Sequence, residues 1–593
     1  MIVVTIDTLR ADHVTPQIAP ALDQLRKTSI EFTDAVTVAP LTLPAHASLF
    51  TGLYPPRHGV HDNHVSSLPE DVPTYAARLK QRGYATGAFV SAVMLDHRYG
   101  LDRGFDVYDD RIDGPERAAV DTLGRAGTWL QTASRPFFLW IHLFEPHAPY
   151  RTGTYASEVT AVDTELATFF TMLRARQLWD DIVLSVTSDH GESLGEHGEK
   201  THGFFVYDST IRIPWLLHAP GRRAARFAPQ VRIVDQMATI MALADAGASA
   251  PGGIDGVNLL PFVDGNRSPD LEAYSETYLP RDQFNWSELR ALRRAGRKFI
   301  DAPQPELYDV QADPAESANL YAEERPNAES LARQLAAVER SGSHNTRVRS
   351  SNDVEADKFM ALGYIGFSPP LAGARADRGA DPKAKLPVYT LTMDAIELSE
   401  TGRPDAALHA LRRARALDAD VTQVHFLEGA ILGGRGDFRG AAAALERTLA
   451  LNPRFVAARL KLALAYLRLG HDRAAEQQLD AVLRDEPANY RAYHDLAAIA
   501  YARGEFDHAE ALERKALAIK SDYFDGWNAL GAALIMKHQA SAAVDALQKA
   551  TDINPRSGQA LHNLSLALAA AARRDEAERA AVRACAADRQ YCR

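Results

Sequence analysis

Residues 39 to 52 read APLTLPAHASLFTG, and in this stretch Thr42 stands two positions before Pro44 and four before His46. A hydroxyl just ahead of a helix start has two uses. It can cap the helix by accepting a backbone N–H, or it can attack an electrophile held at the same helix N-terminus, where the amide dipoles favour an anion. Polar residues also close two apolar runs: Asp7 after VVTI, and Asp189-His190 after VLSVTS. Hard oxygen donors and an imidazole at strand ends could assemble a divalent-cation site with the Thr42 oxygen near it. A cation there would lower the hydroxyl pKa and align a tetrahedral anion for in-line attack.

The elements that must hold these residues alternate. From residue 1 to about 340, apolar β-branched runs (IVVTID, GAFVSA, PFFLWIHL, DIVLSVTS, IPWLLHAPG) are separated by helical patterns such as APALDQLRKT and TYAARLKQRGY. Strands that are apolar throughout and alternate with helices predict an α/β domain whose largely parallel sheet is covered on both faces. Ligands in such folds bind beyond the carboxyl ends of the strands, which is where Asp7 and Asp189-His190 fall. LRALRRAGRKFIDAPQPELYDV predicts a small antiparallel appendage to the same domain. A tail and linker over 341–386, rich in Pro, Gly, Ala and charge without periodicity, places the domain boundary before residue 387.

Beyond the linker the chain repeats. Small residues recur every 34 positions at Ala407, Ala441, Ala475, Ala509, Ala543 and Ala577, and again at Ala395, Gly429, Ala463, Ala497, Gly531 and Ser565. Gly402, Gly436, Gly470 and Gly504 mark a turn within the unit, and Pro453, Pro487, Ser521 and Pro555 mark unit ends. This is the tetratricopeptide period. It predicts about six units over 387–593, stacked as an all-α solenoid whose concave face takes a peptide or protein partner.

Bulk properties narrow the function. A formal net charge of -11, without a dense Lys/Arg block, excludes a nucleic-acid-binding surface. No run of about 18 apolar residues marks a transmembrane segment. The only cysteines, Cys585 and Cys592, leave no framework for a disulfide-held fold or a Cys-based metal site. The chain opens on the apolar strand MIVVTIDTLR, which reads as cytoplasmic as it stands, or as periplasmic or secreted if a leader is missing.

Four segments taken in order, TIDTLRADH, APLTLPAHASLFTGLYPPRHGVHDN, FFLWIHLFEPHAPY and TSDHGESLGEHGEKTHGFF, resemble the sulfatase and alkaline-phosphatase superfamily over roughly residues 1 to 340. The resemblance implies an alkaline-phosphatase-like sheet with helices on both faces. It also implies a divalent metal (Zn, Mn or Ca) on Asp7, Thr42, Asp189 and His190. Sulfatases carry a cysteine at the Thr42 position, within Cys-x-Pro-x-Arg, that becomes formylglycine; here Thr42-Leu43-Pro44-Ala45-His46 lacks both cysteine and arginine. The variant is similar to the nucleotide pyrophosphatase/phosphodiesterase branch, whose nucleophilic threonine precedes Pro and His and a Thr-Gly-Leu-Tyr-Pro stretch, present here as Thr51 to Pro55.

No Asp-x-x-x-His pair for a second metal occurs between residues 100 and 185. HLFEPH is instead like the sulfatases and phosphonate monoester hydrolases, where one metal works beside groups matching His147, Lys200 and His202. Lys200 would clamp the transferred group, and a histidine would protonate the leaving oxygen. His46 and Asn63 are the candidate substrate donors, and Tyr278, Arg281 and Trp286 lie where related enzymes shape the pocket.

The expected activity is metal-dependent hydrolysis of a phosphate mono- or diester, or a sulfate ester, through Thr42. The alternatives are a phosphoethanolamine- or glycerol-phosphate-type phosphotransferase, and a scaffold whose working part is the solenoid.

Overall fold

The computed structural model describes residues 1–63, 66–112, 114, 116–244, 253–265, 267–342, 347–348 and 379–592. The linker part of 341–386 therefore lies largely outside the described residues. Two compact units divide after Val424.

The first unit is built on a sheet of β1 (Ile2–Ile6), β2 (Ile30–Val36), β4 (Ala85–Phe89), β5 (Val107–Asp109), β6 (Phe137–Leu143), β7 (Leu184–Ser188), β8 (Arg212–His218), β9 (Ala225–Phe227) and β10 (Val231–Arg232); β3 (Ser66–Ser67) lies outside it. The strand order is β10-β2-β8-β7-β1-β6-β4-β5, with β9 also on β2. β1 pairs in parallel with β6 and β7, aligning Ile6 with Leu143 on one side and Ser188 on the other. β8 runs antiparallel to both β7 and β2. The sheet is therefore mostly parallel, as the alternating apolar runs predict.

The period of two along β1 sends Val3 into one core, and Ile2, Val4 and Ile6 into the other. On the Ile2 side the sheet is covered by α1 (Pro20–Thr28) and by helices Ala119–Trp129 and Tyr155–Ala175. On the Val3 side lies α2 (Thr42–Thr51), which packs on helix Ile233–Ala244. Every residue of α2 is buried. Trp140 and Trp215 are wholly buried, and their indole N–H groups donate to Thr5 Oγ1 and Ser185 Oγ, each at 3.0 Å, so neither polar atom is stranded.

The expected antiparallel appendage is a four-stranded sheet of β11 (Ala273–Thr277), β12 (Leu289–Arg294), β13 (Arg297–Asp301) and β14 (Glu306–Asp309). Its tightest turn, between β12 and β13, uses Ala295 at φ 50° and Gly296 at φ 77°, the left-handed pair that matches hairpin twist.

Helices from Leu386 to Ala587 follow the 34-residue period as six pairs. The first pair, Leu386–Glu400 and Pro404–Leu417, belongs to the first compact unit. The sequence parts the chain at the linker, whereas the compact body continues through Val424, because this helical pair carries aromatic and charged contacts to the sheet domain. Within the second unit the small positions are close approaches. A Cβ on Gly531 would lie 2.3 Å from Leu547 Cγ, and one on Gly429 2.7 Å from Leu445 Cγ. The left-handed turn at Gly436, Gly470 and Gly504 continues in register at His538 (φ 56°) and Ala572 (φ 60°). Among the described residues no helix is long and apolar enough to cross a membrane. Cys585 and Cys592 are joined as a disulfide at the end of the last repeat.

Candidate active site

Because β1 lies between β6 and β7 in register, the residues that follow their ends converge. The amide of Asp7 donates to Leu143 O at 2.9 Å, which carries the strand pairing one residue past β1. Thr8 then turns into the left-handed region at φ 57°, and its amide donates to Asp189 Oδ1 at 3.3 Å. That oxygen also accepts the His190 amide at 2.8 Å, which leaves Asp189 Oδ2 without a partner. His190 donates through Nδ1 to Gly191 O at 3.0 Å, so its Nε2 lone pair is free to face both carboxylates, 3.6 Å from Asp7 Oδ1 and 3.6 Å from Asp189 Oδ2. Gly191 has to be glycine here: a Cβ would lie 2.3 Å from Ser209 O.

Thr42 is the first residue of α2, with Leu41 as N-cap and no side-chain capping bond. Its hydroxyl instead donates to Asp7 Oδ2 at 3.5 Å. Leu43 N donates to Asn63 Oδ1 at 2.8 Å, and the buried Asn63 Nδ2 has no partner. A helix N-terminus, a hydroxyl and an unused amide N–H thus share one spot.

Asp7, Thr42, Asp189 and His190 are all completely buried, and Asp7 Oδ1, Asp189 Oδ2 and His190 Nε2 have no hydrogen-bond partner. Burial, and next the Asp189 charge, holds the Asp7 carboxyl well above its usual range. Burial also opposes charge on Asp189, but His190, His46 and His142 outweigh it and pull that carboxyl down. Two buried carboxyl groups and an imidazole lone pair whose facing atoms have no hydrogen-bond partner are a donor set that fits a divalent cation. Asp7, Asp189 and His190 would hold it, with the Thr42 oxygen beside them.

His46 and Asn63 differ in what they can offer a substrate. His46 donates through Nδ1 to Thr42 O at 2.7 Å, and its Nε2 accepts from Thr5 Oγ1 at 2.9 Å. Burial pushes its pKa down to about 3, which keeps the ring neutral. Both nitrogens are engaged inside the protein, so His46 fixes the turn of α2 that presents Thr42.

His147 is buried, its ring stacked on Phe144 at 4.4 Å and edge-on to His202 at 4.9 Å. His202 lies 4.5 Å from the His190 ring, centre to centre, and its Nδ1 is 3.0 Å from Glu192 Oε1. Burial drives His202 down to about 4 and Glu192 up to about 8, so both are held uncharged near neutrality. Lys200 stands apart from this group: its exposed side chain reaches Asp394 Oδ1 at 2.7 Å. Tyr278 stacks on His61 and carries the Arg281 guanidinium over its ring, while Trp286 is buried against Phe284.

His142 and Glu192 are site residues absent from the sequence-level set. His142 Nε2 is 3.5 Å from Asp7 Oδ2, neither ring nitrogen has a partner, and with His46 and Asp189 it forms a second metal-capable group overlapping the first. An imidazole interrupting the apolar run FFLWIHL was the available signal. For Glu192 it was the carboxylate three residues after Asp189.

The sulfatase family model matches residues 1–246, the N-sulphoglucosamine sulphohydrolase C-terminal model residues 195–341, and a tetratricopeptide repeat model residues 434–499. An ulvan-active sulfatase of Formosa agariphila is 23% identical over 392 residues, covering 54% of this chain and 75% of that protein. A choline-sulfatase of Rhizobium meliloti is 23% identical, covering 51% and 77%. The multifunctional alkaline phosphatase superfamily protein PehA of Trinickia caryophylli is 29% identical over 189 residues, covering 28% and 36%. Among solved structures, Ps i-CgsB in complex with a neocarrahexaose superposes with TM-score 0.51 at 21% identity over 61% of this chain and 96% of that one.

Proposed function

The chain carries a sulfatase-like domain of the alkaline-phosphatase superfamily, a hydrolase of sulfuric or phosphoric esters, joined to tetratricopeptide repeats, and from that premise we propose that it cleaves its ester through Thr42. The observation that carries this reading is the Thr42 hydroxyl, buried at the N-terminus of α2 and hydrogen-bonded to Asp7, in a chain whose only cysteines are Cys585 and Cys592. No formylglycine can form at position 42. The nucleophile available there is an alcohol, which suits transfer of a phosphoryl group.

When bound on Asp7, Asp189 and His190, a divalent cation would supply positive charge to the transferred group and to the attacking oxygen. The remaining work belongs to the side chains. Thr42 Oγ1 forms the new bond to phosphorus, or to sulfur in a sulfate ester, as the bond to the leaving alcohol breaks, and its proton passes toward Asp7. Asn63 Nδ2 donates to a non-bridging oxygen, and the positive end of the α2 dipole faces the transferred group. Glu192, which keeps its proton near neutrality, passes it through His202 to the departing oxygen and then regains one by the same path from the water that hydrolyses the Thr42 ester, with His147 packed edge-on against the His202 ring. Lys200 turns from Asp394 to the transferred group as substrate enters. The repeats hold a peptide or protein partner.

Thr42→Ala should lower turnover by on the order of a thousandfold or more, and Thr42→Ser should keep substantial activity. Single-turnover trapping followed by intact-protein mass spectrometry should place the adduct on residue 42. Full activity in Thr42→Ala would overturn the reading.

A further inference from the structure

His142 stands inside the apolar strand β6, paired with Thr5 of β1, and its ring centre lies 5.1 Å from that of His46 on α2. Its backbone is fixed there, since Ser91 Oγ donates to His142 O at 2.6 Å. The residue is completely buried, and neither ring nitrogen has a hydrogen-bond partner. A neutral imidazole carries one donor and one acceptor, and burial without a partner for either calls for a ligand.

The neighbouring donors are open on the same side. His142 Nε2 is 3.5 Å from Asp7 Oδ2, while His190 Nε2 is 3.6 Å from Asp7 Oδ1, so the two imidazoles address opposite oxygens of one carboxyl group. Asp189 is shared as well. Its partnerless Oδ2 is 3.6 Å from His190 Nε2, and Asp189 also belongs with His142 to a group whose ligand atoms lie within 4.8 Å of one another. His46 completes that group by distance only, because both of its nitrogens are engaged by Thr42 O and Thr5 Oγ1. Thr42 Oγ1, 3.5 Å from Asp7 Oδ2, is the further oxygen at hand. Two donors about 2.1 Å from one tetrahedral cation stand roughly 3.4 Å apart, so spacings of 3.5 and 3.6 Å need little adjustment to hold an ion.

Charge points the same way. Among the described residues, the basic side chains within 4 Å of Asp7 or Asp189 are the imidazoles of His46, His142 and His190. Lys200 rests instead on Asp394, in a loop held against the helix Leu386–Glu400. Gly198, at φ 78°, lets that loop pass so close that a Cβ there would lie 2.6 Å from Leu386 Cδ2. Tyr389 of the same helix stacks on Phe204 at 4.0 Å and meets Phe284 edge-on at 5.7 Å.

We propose that the site takes two divalent cations, the second bound by His142 Nε2 with Asp7 Oδ2 and Asp189, so that the two carboxylates bridge the pair. The cation class is one that accepts mixed nitrogen and oxygen donors, as zinc does. The assignment rests on the reading of these residues as the metal site of an ester hydrolase. It does not use the Asp-x-x-x-His pair that the sequence lacks.

The test uses the full chain, stripped with chelator, reloaded with Zn²⁺ alone and freed of excess. Every sample carries His97→Ala, which removes the exposed group Asp96, His97 and Asp110 as a surface zinc site. Elemental analysis should give two zinc ions per chain, and His142→Ala should give one. X-ray absorption of the two-zinc form should show zinc–zinc scattering at about 3.5–4 Å, which a hydrogen-bonding role for His142 would not produce. That measurement needs no change at position 142, so it decides the matter even where His142→Ala fails to fold. One zinc per chain before the change at 142, two zincs retained in His142→Ala, or no zinc–zinc scattering would each overturn the proposal. Zinc binding needs no nucleophile, so the same count on Thr42→Ala separates the two readings. Two zincs in a Thr42→Ala chain that turns over normally refute only the Thr42 nucleophile. One zinc in a chain whose turnover depends on Thr42 refutes only the second cation.

Discussion

Asp7 and Asp189 are two completely buried carboxyl groups, and the repulsion between their charges is the local cost that a bound cation would offset. Asp189→Ala should therefore abolish divalent-metal content, measured by elemental analysis of the purified protein, because no other carboxylate in the group can replace Oδ2. Unchanged metal content would refute the assignment. A second prediction concerns Asp282, whose carboxyl burial raises to about 6 although Arg281 opposes the shift. The folded chain then keeps a proton that the unfolded chain releases near pH 4. Stability accordingly falls as pH rises from about 4 to 6, by at most roughly 3 kcal/mol, and stays level above that. Asp282→Asn should remove this slope, and denaturation midpoints compared across pH 4 to 7 would reveal it. At this scale the sequence exposed the residues that end apolar runs, Asp7, Asp189 and His190, because a polar side chain closing a buried strand has few structural uses. His142 was hidden because it lies inside such a run, where an imidazole reads as one more buried side chain until the register with Thr5 is known.

The elements are locked together by charge as well as by apolar packing. Lys298 on β13 is completely buried between Asp208 at 3.0 Å and Glu316 at 2.7 Å, and Arg293 on β12 ties Asp208 at 3.1 Å and Asp34 of β2 at 2.8 Å. These contacts fasten the small antiparallel sheet to the large one. Lys298→Met should cost about 3–5 kcal/mol, since it leaves two buried carboxylates without their shared cation, and adding Glu316→Gln should restore part of the loss. Denaturant unfolding of the two variants measures both effects; a neutral Lys298→Met would show that the network is dispensable. The appendage itself was legible from its alternation and from the Ala295-Gly296 turn. The direction of β8 was not. IPWLLH is buried on both faces, and a wholly apolar strand carries the same pattern whichever way it runs.

For the whole molecule, the 34-residue period was readable because a repeat must bury the same small side chains in every unit. The turn glycine was the weaker marker, since His538 and Ala572 adopt its left-handed backbone without it. What the period concealed is that the first helical pair has a second allegiance. A chain ending at residue 424 should stay soluble and keep its thermal midpoint for the sheet domain. One ending at residue 342 should unfold at lower temperature, because it uncovers Phe204 and Phe284 and loses Tyr389, a buried aromatic of the kind worth about 3–5 kcal/mol. Equal midpoints for the two chains would refute this. The contact of Gly198 with Leu386 has a further consequence for descent. A side chain gained at 198 would press on the tip of Leu386 and make that side chain turn aside, so a change in the loop is felt on the helix. A lineage that exchanged its repeats for another partner-binding array would keep the loop that bears Lys200 and His202 covered only by keeping this helix, whose Leu386 and Tyr389 lie against it.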